Sequence, residues 1–182
     1  MSTPWQQLRT LDTAWTQWLH TLGGRIERSD ACFVAWLGAS STLLVANDPD
    51  LDPDDTLAQI ILHEICHHLV EGPHSWAQDD WGLNNQTDED IAREYAALRL
   101  QAALLDTPLL RQYLQPTTDH RWFYEALGDA PLQDAVHPET DPQSRYAAEQ
   151  GFRHWETWPH RASLQALLGV SDALLSSRAR AR

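Results

Sequence analysis

His63-Glu64-Ile65-Cys66-His67 sets two imidazoles and a carboxylate at a spacing that suits metal chemistry on a helix. Residues four apart share one helix face, so both rings can reach a single ion. Glu64 follows His63 by about 100° round the axis, close enough to touch a water on that ion. Zinc hydrolases use this arrangement: two neutral nitrogens hold the ion, and a carboxylate takes a proton from its bound water. Such a site needs a third protein ligand. One extended motif places it six residues after the second His, but that position is Pro73, and His74 is off by one. Asp79, Asp80, Glu89 and Glu94 remain open as carboxylate ligands. His68 borders the apolar stripe and reads as a packed residue or one that orients a ligand.

These groups need a framework. Leu57, Ala58, Ile61, Leu62, Ile65, Cys66 and Leu69 form one apolar stripe, with the motif residues to its side. Asp54, Asp55 or Thr56 caps this helix, and Gly72-Pro73 ends it. Upstream, residues 31–37 and 42–46 read as a hairpin across the turn Gly38-Ala39-Ser40-Ser41. The acidic loop from Asn47 to Asp55 lacks the Gly and distal Glu of a calcium loop, so it reads as solvated. An N-terminal helix over residues 4–22 carries Trp5, Leu8, Leu11, Trp15, Trp18 and Leu19 on one face and stops at Gly23-Gly24.

Residues 71–86 form a long turn-rich loop, where His74, Trp76 and Trp81 either line a cleft or pin the loop down. Thr87, with Asp90 as its capping-box acid, starts a second helix that runs to Leu105 and stops before Pro108. That register puts Glu89 on the same side as the small residues Ala92, Ala96 and Ala103. A short helix is expected over 118–127, a loop over 130–142, and helices over 144–158 and 161–176. Residues 1–176 read as one domain, with a catalytic core at 31–108 and a helical C-terminal part at 118–176. Residues 177–182 read as a disordered basic tail.

The chain has 182 residues, enough for one substantial core. Its net charge of −13 argues against nucleic acid or an anionic membrane surface as a partner. All 13 cations are Arg. Two cysteines imply no disulfide framework. The N-terminus lacks the pattern of a signal peptide, and no apolar run is long enough to span a bilayer. The expectation is a soluble cytoplasmic protein.

The run from Thr42 to about Pro108 resembles the ImmA/IrrE family of zinc metallopeptidases, within the gluzincins. Its members have a strand leading into the His-Glu motif, then a helix of the type Glu-x-x-Ala-Asn-x-Phe-Ala-Ala, an apolar run and a Pro. The corresponding residues here are Leu43-Leu44-Val45-Ala46-Asn47, His63 to His67, and Glu89 to Ala97. Tyr95 stands for the Phe and Arg93 for the Asn, and the run before Pro108 is longer. The resemblance implies Zn²⁺ held by His63, His67 and Glu89, with Ala92 and Ala96 as small packing positions. It also implies an α+β fold with a small sheet packed on the motif helix. The implied activity is hydrolysis of a peptide or protein substrate, often a regulatory protein.

On that reading Glu64 is the general base. An oxyanion donor is expected from His120, Tyr124, His137 or His154, with His74 and Trp76 as further cleft residues. Two rival readings are a metal-binding regulatory protein without turnover, and a metal-free helical module that binds partners through its Trp residues. The intact Glu64 speaks against the first, since a structural metal needs no base.

Overall fold

In a computed structural model, residues 4–84 and 87–180 are described, without the side chains of residues 4–10 and 118. The expected side-chain roles of Trp5 and Leu8 lie outside the described residues.

The fold is α+β. Helix α1 (Pro4–Thr21) ends where Gly23 takes φ 87°. It leads into β1 (Arg25–Ser29), β2 (Val34–Leu37) and β3 (Thr42–Ala46), a mixed sheet of order β1-β3-β2. The hairpin of β2 and β3 forms as expected, with Val34 opposite Val45 and Leu37 opposite Thr42. A short 3₁₀ turn at Gly38–Ser40 joins them. Strand β1 was not expected. It pairs parallel to β3, Arg25 with Thr42 through Ser29 with Ala46. Its sequence, Arg-Ile-Glu-Arg-Ser, lacks an apolar alternation because it is an edge strand with little buried surface. Central β3 is the reverse case: Leu43 and Val45 are fully buried, as a covered strand requires.

Helix α2 (Leu57–Glu71) carries the motif. Thr56 Oγ1 accepts from Gln59 N, and Gly72 ends the helix at φ 90°. Ile61, Leu62, Ile65, Cys66 and Leu69 enter the core with Trp36, Leu43 and Val45 of the sheet. Helix α1 also packs on α2. Trp15 and Trp18 are buried, and their indole N–H groups donate to Ser171 and Ser163.

The second helix starts later than expected. Thr87 caps a 3₁₀ turn at Asp88–Asp90, and α3 runs from Ile91 to Leu104. Asp90 makes no capping-box contact; its Oδ2 accepts from Asn84 N. Pro108 starts α4 (Pro108–Tyr113), with Thr107 as its cap. A Pro after an apolar run can equally open the next helix, because its missing N–H costs nothing at the first position. The remaining helices are α5 (Arg121–Ala126), α6 (Asp141–Thr157) and α7 (Arg161–Ala179). Helix α7 thus runs into the stretch read as a disordered tail. Helix α6 lies close against α2 and α3 at Gly151, where a methyl group would meet Val70 Cγ2 at 3.0 Å and Leu100 Cδ2 at 3.1 Å. Among the described residues, no helix is long and apolar enough to cross a membrane.

Candidate metal centre

Helices α2 and α3 pack side by side and bring three ligand groups to one point. From α2, His63 Nε2 and His67 Nε2 stand 3.0 Å apart, with their rings nearly perpendicular. From α3, Glu94 Oε1 lies 3.1 Å from His63 Nε2, and Oε2 lies 3.0 Å from His67 Nε2. Among the described residues, this is the group of three whose ligand atoms all lie within 4.8 Å. Zinc bonds of about 2.0–2.1 Å set tetrahedral ligand atoms about 3.3 Å apart. The triangle therefore fits such an ion after a small outward adjustment. Two imidazole nitrogens and a carboxylate are also the ligand types of a catalytic zinc site.

The position of Glu89 differs from the expectation. Glu89 does not reach the imidazoles. It sits exposed on the 3₁₀ turn before α3, and its Oε2 accepts from Asn84 Nδ2 at 3.2 Å. The late start of α3 is the reason, since the favoured register assumed that Glu89 already lay on the helix. Glu94 begins its own Glu-x-x-Ala, and Ala97 is fully buried where the helices meet. Asp79 and Asp80 are engaged elsewhere, accepting from Gly38 N and Trp36 N.

The charges of the cluster interlock. Burial favours neutral His63, but the adjoining Glu94 carboxylate outweighs it and raises the imidazole to about 9. Burial likewise works against a charged Glu94, and the two imidazoles reverse that, holding it well below the usual carboxylate range. His68, by contrast, is lowered to about 4 by burial and by neighbouring His154 and His160. It packs against Trp76 and Trp81, with Nδ1 3.0 Å from Ser75 Oγ. It is a core residue.

Glu64 sits beside the triad. Trp81 Nε1–H donates to its Oε2 at 2.7 Å. Placing that indole strains the chain: Asp80, Trp81 and Gly82 all have positive φ, at 45°, 60° and 87°. A non-glycine residue in that region costs on the order of 1–3 kcal/mol, a strain that marks functional sites. The turn is tied to strand β2 by the Trp36 N bond to Asp80 and to the following 3₁₀ turn by the Gly38 N bond to Asp79, while Trp36 Nε1 donates to Trp76 O just before it. The Trp81 ring also stacks on Trp36 at 4.5 Å.

A cavity of about 410 Å³ opens over His63, Glu64, His67 and Glu94, with Phe33 and Val34 on one wall and Asp119 and His120 on another. Of the expected oxyanion donors, only His120 lines it. Tyr124 is buried; its hydroxyl donates to Arg111 O, and burial pushes it up to about 12. His154 Nδ1 donates to Leu69 O, away from the cleft. His137 packs near the Tyr95 and Trp122 rings. His74 is exposed outside the cavity. Trp76 is half-buried, and its indole donates to Ser41 Oγ. It pins the loop, whereas Trp81 reaches the site.

Sequence reasoning passed over Gln101. Its side chain is fully buried, with Oε1 3.0 Å from His63 Nδ1. The signal was its position two turns after Glu94, on the same face of the helix. No protein-family model, curated protein or solved structure matches the chain. Any functional reading therefore rests on this geometry.

Proposed function

We propose that the chain is a zinc-dependent endopeptidase of the gluzincin type, with His63, His67 and Glu94 as ligands and Glu64 as general base. The observation that carries this reading is the convergence of all four groups at the floor of an open cleft. A bound zinc would supply a Lewis acid that makes water nucleophilic near neutral pH and polarises the scissile carbonyl. The protein's part is to hold and move a proton. Glu64, with Oε2 fixed by Trp81, takes the proton at its other oxygen and hands it to the leaving amine. His120 also lines the cavity and is the donor proposed for the oxyanion. The resemblance to the ImmA/IrrE family agrees with a regulatory protein as substrate. Free Cys32 and Cys66 fit a cytoplasmic setting.

The test is metal content, followed by turnover. Wild-type protein, purified without a chelating tag, should carry about one zinc per chain, as a three-ligand site predicts. Glu94→Ala should lose it and Glu89→Ala should keep it. Zinc-loaded protein should then cleave an unstructured polypeptide, and Glu64→Gln should not. Absence of zinc from the wild type after zinc addition would overturn the reading. Bound zinc without Glu64-dependent cleavage would leave a metal-binding protein.

A further inference from the structure

We propose that Gln101 is a positioning residue that fixes the tautomer of His63, so that Nε2 and not Nδ1 faces the metal. The inference rests on the zinc reading above and adds a residue to it. Gln101 lies two turns along α3 from Glu94, so one helix face supplies both the carboxylate ligand and this amide. The amide has no freedom to turn over. Its Nε2 donates to the carbonyl of Leu114, at the end of α4, at 2.7 Å. A carbonyl can only accept, so the amide nitrogen must face Leu114 and Oε1 must face His63. Oε1 can only accept in turn, and it lies 3.0 Å from His63 Nδ1. Nδ1 must therefore carry the proton. The lone pair of the neutral ring then sits on Nε2, the atom 3.1 Å from Glu94 and 3.0 Å from His67.

Gln101 Oε1 thereby holds the ring from behind, on the side away from Glu94. His67 has no such support: its Nδ1 is buried without a hydrogen-bond partner among the described residues. The two imidazoles are therefore unequal. His63 is held from behind and His67 is held by packing, which makes Gln101 the lever on the site.

Two substitutions separate this role from a merely structural one. Gln101→Leu and Gln101→Glu both remove the amide donor to Leu114, and only Gln101→Glu keeps an acceptor for Nδ1–H. Zinc affinity would be measured by competition with a chromophoric chelator, and the ligand field by the visible spectrum of the Co²⁺-substituted protein. Gln101→Leu should weaken zinc binding by about 10–100-fold, the usual cost of losing a partner behind a ligand imidazole. It should also alter the Co²⁺ spectrum. Gln101→Glu should bind zinc close to the wild-type level. Equal affinities in Gln101→Leu and wild type would overturn the proposal while the zinc reading stands. So would equal losses in both variants. A wild type that binds no zinc would overturn both. Should Gln101→Leu fail to fold, ¹⁵N imidazole NMR of the zinc-loaded wild type decides: Nδ1 protonated and Nε2 metal-bound supports the proposal, and the reverse overturns it.

Discussion

Helix α3 carries two charge clusters, one fully buried and one half-buried, and they are built in opposite ways. Around Arg99 the protein completes the cluster itself. The side chain is fully buried and makes four hydrogen bonds, to Asp141, Ser144 and the carbonyls of Pro131 and Asp134. Asp141 closes its other oxygen on Val136 N. Around Glu94 the protein supplies two imidazoles and two carboxylate oxygens, all turned to one point in an open cleft. Neighbouring Arg93 turns away, to Glu71. Arg99 and Asp141 form a finished ion pair that locks α3 to α6. The Glu94 cluster is a group that could hold a cation, with imidazole protons beside its carboxylate. This contrast sets a closed ion pair apart from an open cluster, which composition cannot do.

The contrast is tested hardest at Arg99. Arg99→Leu leaves the buried Asp141 carboxylate with only the longer 3.6 Å contact to Arg145 as an ion pair, so urea unfolding should show a loss of about 3–5 kcal/mol. Adding Asp141→Asn should restore part of it. A loss under about 1 kcal/mol, the scale of exposed pairs, would show that the Arg99 cluster is not the lock described here. The Glu94 cluster should behave differently. Free zinc at about 100 times its dissociation constant should stabilise the wild type by about 2.7 kcal/mol, visible as a raised melting temperature. Glu94→Ala should abolish that gain. An equal zinc shift in both proteins would mean that the ion binds elsewhere.

Acid sharpens the difference. Burial works against a charged Asp141, but backbone N–H groups and Arg99 prevail and lower its pKa below the ordinary 3.8. Below that value the unfolded chain binds the proton more readily than the folded one. The stabilisation is therefore complete above pH 3.8 and is lost as pH falls through the lowered native value. Denaturant titrations down to that range should show a steeper acid loss for wild type than for Asp141→Asn. Parallel profiles would refute the assignment.

Much of this was legible in the sequence where local rules act alone. The motif helix, its Thr56 cap, its Gly72 stop, the hairpin and the N-terminal Trp helix all follow from spacing and punctuation. What failed depended on long-range packing. Strand β1 has no apolar signature, because its place is set by β3 and not by its own residues. Glu89 was expected on the helix because Thr87-Asp88-Glu89-Asp90 looks like its first turn. Asn84 draws Asp90 and Glu89 into a tighter turn, and the register moves on to Glu94. Gln101 was passed over because an amide between Leu100 and Ala102 reads as surface unless Glu94 is already taken as its partner on that face and the Leu114 carbonyl is beside it.

The smallest effect expected is at Glu89. Exposed side chains away from caps and cores usually change stability by less than about 0.5 kcal/mol when replaced. Glu89 is exposed, and among the described residues its carboxylate meets the side chain of Asn84. Glu89→Ala should therefore leave both the denaturation midpoint and the zinc content where they were. The near-null result matters because Glu89 and Glu94 each begin a Glu-x-x-Ala and differ only in which side of the turn they occupy. Loss of zinc in Glu89→Ala would mean that α3 begins a turn earlier when metal is bound. The triangle at Glu94 would then be an ion-paired resting arrangement of the cluster.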